Sequence, residues 1–375
     1  MMKKFLSLFT VVVLATSALV GCGSSNSEAS SQANDSSTPT EQAAGSEEAS
    51  ADSGEKLKIA VIRNLPSDDH TKQFLDGAKS EGESFGYTVD TFISNGDDAK
   101  FQELVAQQIQ KDYDGLIISH GKAEYSTDML KPALDKGMKV VTFDTAFKDG
   151  VIPEGITSTA QDDEALARLS LDEIIAASPN KPAKVLKLWY GPGIPPLDTR
   201  DGIYKQYEQE GKIETVEFIG PSTLDDVQGE VSTRVAAVLP KYPEGTIDAM
   251  WGSWDEFAKG GNKALKEANR KDINLVSIDV SNQDINLMME EGSIWSATAA
   301  VDPKLIGIVN MRLLAKKIKG EATDQTFNLE ATLIKRSQLK SDTIMDTLKD
   351  VVEGWGQSDA FNEPWMEELR SQNGK

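Results

Sequence analysis

Cysteine and histidine are nearly missing from this chain of 375 residues, which has one Cys, Cys22, and two His, His70 and His120. A disulfide framework needs pairs of cysteines, and a zinc site needs three or four Cys/His ligands held together, so neither is expected, nor is any metal or cofactor. Positive charge is also short. Lys+Arg total 39 against 60 Asp+Glu, a formal net charge of −21. A surface of that sign repels phosphate, which argues against nucleic acid as a partner. No Gly-x-Ser-x-Gly elbow, His-Glu-x-x-His pair or Gly-Lys-Ser/Thr phosphate loop occurs, so the usual sequence marks of nucleophilic, zinc-hydrolytic and nucleotide chemistry are lacking. Gly191-Pro-Gly193 lacks the third glycine of a dinucleotide motif and carries a proline inside the turn. Acidic residues are so numerous that pairs of carboxylates, the mark of a glycosidase, occur by chance.

Long apolar runs are absent except at the N-terminus, where Lys3 and Lys4 precede an apolar stretch from Phe5 to Val20. That is the layout of a secretory signal, and it is short for a spanning helix. It ends in Leu19-Val20-Gly21-Cys22, which resembles the bacterial lipobox and implies cleavage before Cys22 and lipidation of that residue. The alternative is an ordinary cleaved signal with an incidental cysteine. Residues 23–56 contain no Val, Ile, Leu, Met or aromatic residue. Such a segment cannot bury enough surface to fold and reads as a tether between a membrane and a folded body beginning near Leu57.

From Leu57 onward, β-rich runs alternate with helix-length amphipathic segments, the pattern of βαβ units around a parallel sheet. Strands are expected at 57–63, 88–94, 115–119 and 139–145, then at 184–190, 215–220, 247–253, 273–279 and 296–301. A helix is expected from Asp69 to Phe85, stopped by Gly86. Asp144, Trp254 and Asp279 fall at or just beyond strand ends, and in open α/β sheets ligands bind outside the carboxyl ends of the strands. The 319 residues after the tether (375 − 56) favour two lobes over one.

The stretches Lys58-Ile-Ala-Val-Ile, Phe74-Leu-Asp-Gly-Ala-Lys and Tyr113-Asp-Gly-Leu-Ile-Ile-Ser, followed by Lys139-Val-Val-Thr-Phe-Asp, Trp254-Asp-Glu-Phe-Ala-Lys-Gly-Gly and Val276-Ser-Ile-Asp, resemble the periplasmic sugar-binding proteins of ABC transporters. The likeness is to the ribose-binding-like group of the type I fold, in unbroken order over residues 57–340. It implies an α/β fold of two Rossmann-like lobes with parallel sheets, joined by crossovers near 159–162, 301–303 and 326–331. The N-terminal lobe would comprise 57–160 plus about 303–328, and the C-terminal lobe 161–301 plus about 331–352. Residues 353–375 form an extension without a counterpart.

The same resemblance implies a site. A sugar needs carboxylates as acceptors, Arg or amides as donors, and rings for its C–H faces. Asp144 and Asp279 match the family's two hydroxyl-binding aspartates. Arg200 lies near its ligand-binding arginine, with pairing to Asp198 or Asp201 as the alternative, and Trp254 stands where an asparagine donor is common. Asp69 and His70 are candidate polar contacts, although Ser67-Asp68-Asp69 is also a good helix start. Gln161 and Asp162 align with a polar pair near the first crossover, with a helix cap as the alternative. Trp189 and Tyr190 could line the crevice or pack in the core. The family's paired aromatics correspond here to His70 and Thr71, its strand-end arginine to Thr145 and a further aromatic to Leu224, so ribose specificity is not inherited.

The expected function is capture of a sugar or polyol by hinge closure, without catalysis, for delivery to an ABC importer by a monomer anchored outside the cell membrane through Cys22. A ligand-sensing lipoprotein and a carbohydrate-active enzyme remain as alternatives.

Overall fold

The apolar runs that read as strands are buried on both faces. In the first, Ile59 and Val61 enter one core while Ala60 and Ile62 enter another, because successive side chains of a strand point to opposite faces and this sheet is covered by helices on each. The computed structural model of the chain describes residues 56–374. The leader, Cys22 and all but the last residue of the tether lie outside the described residues.

The order along the chain is β1 (Lys58–Arg63), α1 (Asp69–Ser84), β2 (Thr88–Ile93), α2 (Asp98–Gln110), β3 (Gly115–Ser119), α3 (Ser126–Asp135), β4 (Lys139–Phe143), β5 (Ile156–Gln161) and α4 (Asp163–Ala177). Next come β6 (Ala183–Leu188), α5 (Pro195–Gln209), β7 (Ile213–Ile219), α6 (Val227–Val238), β8 (Ala249–Gly252), α7 (Asp255–Glu267), β9 (Asn274–Ile278), α8 (Asn282–Met289) and β10 (Trp295–Ala300). The last elements are α9 (Pro303–Ile318), β11 (Thr326–Leu329), β12 (Thr332–Lys335) and α10 (Pro364–Gln372).

Two six-stranded sheets result, with orders β11-β5-β4-β3-β1-β2 and β12-β10-β9-β8-β6-β7. They repeat one topology, so β4 and β9 are equivalent, as are β3 and β8 and β1 and β6. All pairings are parallel except β12 on β10. The chain passes between the sheets at Asp162, at 301–302 and at 330–331. After the second passage α9 returns to the first sheet and lies directly on α1. A Cβ on Gly77 would come within 2.1 Å of the Lys304 carbonyl oxygen, and one on Gly307 within 2.1 Å of that of Phe74. The two glycines are therefore what allow these backbones to touch.

Several strands lie differently from the sequence expectation. The strands expected at 139–145 and 273–279 stop at Phe143 and Ile278, because Asp144 (φ 41°) and Asp279 (φ 71°) turn into the left-handed region. β5, β11 and β12 were not expected as strands. β5 reads Ile-Thr-Ser-Thr-Ala-Gln, and the other two are four-residue edge strands, so none shows an apolar run. Beyond β12 the chain first packs on the second sheet's core through Met345, Leu348 and Trp355. It then crosses to the first, where α10 buries Met366. Arg370 reaches Glu81 at 2.5 Å and Arg312 reaches the Ser358 carbonyl at 2.8 Å.

Candidate functional site

The carboxyl edges of the two sheets bring charged side chains of both together. On the second sheet Arg200, in the second turn of α5, is 2 % exposed. Its Nε donates to Asp163 Oδ1 at 2.7 Å and its Nη1 to the Ser253 carbonyl at 2.7 Å. Nη1 and Nη2 also reach the two Asp279 oxygens at 3.0 and 3.4 Å. Burial would lower its pKa, but Asp279 and Asp163 outweigh burial and raise it, so the guanidinium stays charged. The pairing considered from sequence is not the one found. Asp198 accepts from the Gly193 amide at 2.9 Å, and Asp201 binds Lys187 and Lys205. A buried cation needs well-placed anions, and two carboxylates plus a carbonyl meet that need.

On the first sheet Asp144 follows β4 as Asp279 follows β9 on the second. Each donates its backbone N–H to the next strand, Asp144 to Thr159 O at 2.9 Å and Asp279 to Ala299 O at 2.8 Å. The carboxyl groups differ. Among the described residues no hydrogen bond or ion pair reaches that of Asp144. Burial, and then the charge of Asp163, push its pKa up to about 8, against the pull of Arg200 and Arg63. At neutral pH it is largely protonated.

Arg63, the last residue of β1, was not singled out in the sequence. It is fully buried. Its guanidinium stacks on the Phe74 ring at 4.5 Å, Nε donates to Thr71 Oγ1 at 3.2 Å and Nη2 to His70 Nδ1 at 2.7 Å. Because arginine only donates, His70 Nδ1 accepts and the ring is neutral. Burial, then the Arg63 charge, lower the pKa values of both His70 and His120 well below the usual imidazole value. Burial brings Arg63 itself down to about 10, with Asp68 and Asp144 opposing.

The other sequence candidates sort by what already occupies them. Asp68 caps α1, accepting from Thr71 N at 2.7 Å, and Asp162 caps α4, accepting from Ala165 N at 2.9 Å. Asp69 reaches the other sheet's layer, accepting from Asn282 N at 2.6 Å. Gln161, closing β5, has a buried Oε1 with no hydrogen-bond partner among the described residues. Trp254 precedes α7, half-buried, its ring edge-on to Phe257 at 5.4 Å. Trp189 lies against Phe218 at 5.7 Å under Lys187, while Tyr190 lines a surface groove with Phe218 and Arg234. Thr145 accepts from the Gly121 amide at 3.3 Å. Leu224 is 45 % exposed in its loop.

Behind Trp254 and Asp279, Lys259 binds Asp255 at 2.8 Å, Glu256 at 2.5 Å and Asp284 at 3.4 Å. Burial, with Asp284 adding to it, raises Asp255 well above the usual carboxylate pKa. This knot ties the start of α7 to α8, whose Ser281–Asp284 capping box follows Asp279 by two residues. The loops that carry Trp254 and Asp279 are thereby fixed. Among the described residues no cluster of His, Cys, Asp and Glu could hold a metal, and no helix is long and apolar enough to cross a membrane.

A periplasmic binding protein domain matches residues 59–322. The ribose import binding protein of Escherichia coli is 23% identical over 285 residues, 76% of this chain and 93% of that protein. Among solved structures, a sugar ABC transporter protein of Yersinia enterocolitica is 47% identical with a TM-score of 0.74, covering 85% of this chain and 96% of that one. The 5-methylthioribose transporter solute binding protein of Thermotoga lettingae, solved with 5-methylthioribose, is 28% identical with a TM-score of 0.71, over 84% and 97% of the two chains.

Proposed function

Because this chain belongs to the periplasmic binding protein domain family, we propose that it is the extracytoplasmic solute-binding protein of an ABC importer, binding one sugar or polyol between its two sheets without turning it over. The observation that carries this reading is the meeting of Asp144, from the first sheet, with Arg200, Asp163 and Asp279 of the second. Asp144 is the member whose carboxyl has no hydrogen bond among the described residues, and charge from the opposite side acts on it. Groups from both sheets can contact a ligand together only when the two halves are close, so a bound sugar stabilises the closed form. The relatives' names agree: they are a ribose import binding protein, a sugar ABC transporter protein and a 5-methylthioribose transporter protein.

Within this reading the passages at Asp162, 301–302 and 330–331 act as the hinge between an N-terminal and a C-terminal lobe. Asp144, Asp279, Arg200, Gln161 and Trp254 contact the ligand, whereas Asp68 and Asp162 hold helix ends. Cys22 carries the lipid and residues 23–56 are the leash. One acyl chain gives only reversible attachment, so stable anchoring takes two. Delivery to a permease follows from closure, because the importer distinguishes closed from open forms. The test is a thermal-shift screen of the purified chain with D-ribose, 5-methylthioribose, D-apiose, allitol and D-allose, followed by product analysis of any sugar that binds. A saturable shift with the sugar recovered unchanged supports the reading. No shift with any of them, or converted sugar in excess of protein, overturns it.

A further inference from the structure

Buried polar atoms in native proteins nearly always have partners, so where orphans gather, something is to be bound. Eight buried side-chain atoms lack a hydrogen-bond partner among the described residues, and four of them, Arg63 Nη1, Ser119 Oγ, His120 Nδ1 and Gln161 Oε1, lie along one edge of the first sheet. They belong to the carboxyl ends of β1, β3 and β5. Arg63 pairs with Ser119 across β1 and β3, and Ser119 with Phe143 across β3 and β4. His120 donates its backbone N–H to Phe143 O, one residue before Asp144. Four neighbouring strands thus end in a row: Arg63, His120, Asp144, Gln161.

The row is incomplete in a specific way. Arg63 is fully buried and makes bonds through Nε and Nη2, yet Nη1 has no partner, and no ion pair to it occurs among the described residues. Asp144 is near enough for the two charges to act on each other but does not touch it. A buried donor without a partner, near a carboxyl that can give up its proton on binding, suits an oxygen that accepts from Arg63 and donates to the Asp144 carboxylate, which a hydroxyl does and a fully ionised phosphate oxygen does not.

We propose that Arg63 and His120 are ligand contacts, and that with Asp144 and Gln161 they select an uncharged polyhydroxy compound over a phosphorylated one. The inference rests on the crevice being the ligand site, and it adds residues and a charge class to that reading. Arg63 Nη1 donates to a ligand hydroxyl whose proton goes to Asp144, and Gln161 Oε1 accepts from a second. An anion finds little here. Arg200 is already taken by Asp163, Asp279 and the Ser253 carbonyl, which leaves Arg63 Nη1 as a donor under the influence of Asp68 and Asp144.

The experiment is calorimetry on the full mature chain with whichever of the five screened sugars binds the parent, alongside D-ribose 5-phosphate. Arg63→Met should weaken sugar binding by roughly 10- to 100-fold. Should that variant fail to fold, His120→Gly, which suits the φ of 62° at this position, and Gln161→Met carry the test, each with a loss of about tenfold. The phosphorylated sugar should not bind the parent. Variant affinities within about threefold of the parent, or tight binding of the phosphorylated sugar, would overturn the inference while the crevice reading stands. A parent that binds none of the five sugars overturns that reading instead, and the assignment of Arg63 with it.

Discussion

Asp144 and Asp279 occupy the same place in two copies of one topology, each in a left-handed turn after the third strand in from the edge formed late in the chain, yet among the described residues only the carboxyl of Asp279 is paired. The second sheet carries its own counter-ion in Arg200. The first leaves its aspartate open, and the proposed binding role rests on that asymmetry.

Proton linkage is the first consequence. With a pKa of about 8 when empty, Asp144 is protonated at neutral pH, and hydroxyl donors from a ligand favour the carboxylate. Binding should therefore release a proton, and affinity should rise with pH up to about 8, by at most roughly tenfold per unit. Titrations at pH 7 in two buffers of different ionisation enthalpy measure this directly, and equal observed heats would contradict it.

Stability should follow the opposite sign. A carboxyl whose pKa is raised on folding binds a proton in the folded state that the unfolded state has lost, so the empty protein loses stability as pH rises from about 4 to 8. Asp144→Asn should flatten that slope in denaturant titrations and be more stable than the parent above pH 8. An unchanged slope would place the titrating group elsewhere.

Arg200 holds two carboxylates, so its loss is structural as well as functional. Arg200→Met leaves Asp163 and Asp279 buried without their cation and should cost on the order of 3 to 5 kcal/mol. Asp279→Asn, which keeps the shape and leaves Asp163 as counter-ion, should cost less than half of that. Equal losses in urea melts would mean that Asp163 does not share the guanidinium.

The C-terminal segment should matter to the first sheet. Ending the chain after Gln357 removes buried Met366, the Arg370–Glu81 pair and the ring contact between Trp365 and Phe85. A loss of about 3 kcal/mol or more is expected. A truncated chain with the parent's urea midpoint would show that α10 only rests on the surface.

Cys22→Ala should abolish lipid labelling and leave the chain as precursor or free in the medium. Undiminished labelling of that variant would refute the anchor.

The two-sheet architecture was legible because most strands are apolar runs that end abruptly before a polar turn, as Val-Val-Thr-Phe does before Asp144. β5 escaped because its Thr and Ser give no apolar signal inside the sheet, and β11 and β12 because four-residue edge strands are too short to show one. Asp144 and Asp279 stand out in the sequence as charges just beyond apolar strands, and the same logic extends to Arg63 at the end of Ile-Ala-Val-Ile. In sequence alone, a charge closing an apolar strand reads as its boundary. Arg200's partners were out of reach for another reason: Asp163 and Asp279 lie 37 and 79 residues away, whereas the neighbours in sequence, Asp198 and Asp201, are engaged elsewhere. Likewise the sequence does not separate Asp162 from Asp163, and only the helix geometry assigns the cap to the first and the arginine to the second.

The most direct measurement is the affinity of Asp144→Ala, by calorimetry, for the sugar that most stabilises the parent in the thermal-shift screen. Loss of the open carboxyl should weaken binding by 2 to 4 kcal/mol, roughly 30- to 1000-fold, in a variant that melts no lower than the parent when empty. Binding within about threefold of the parent would place the site away from the meeting of the two sheets and contradict the account.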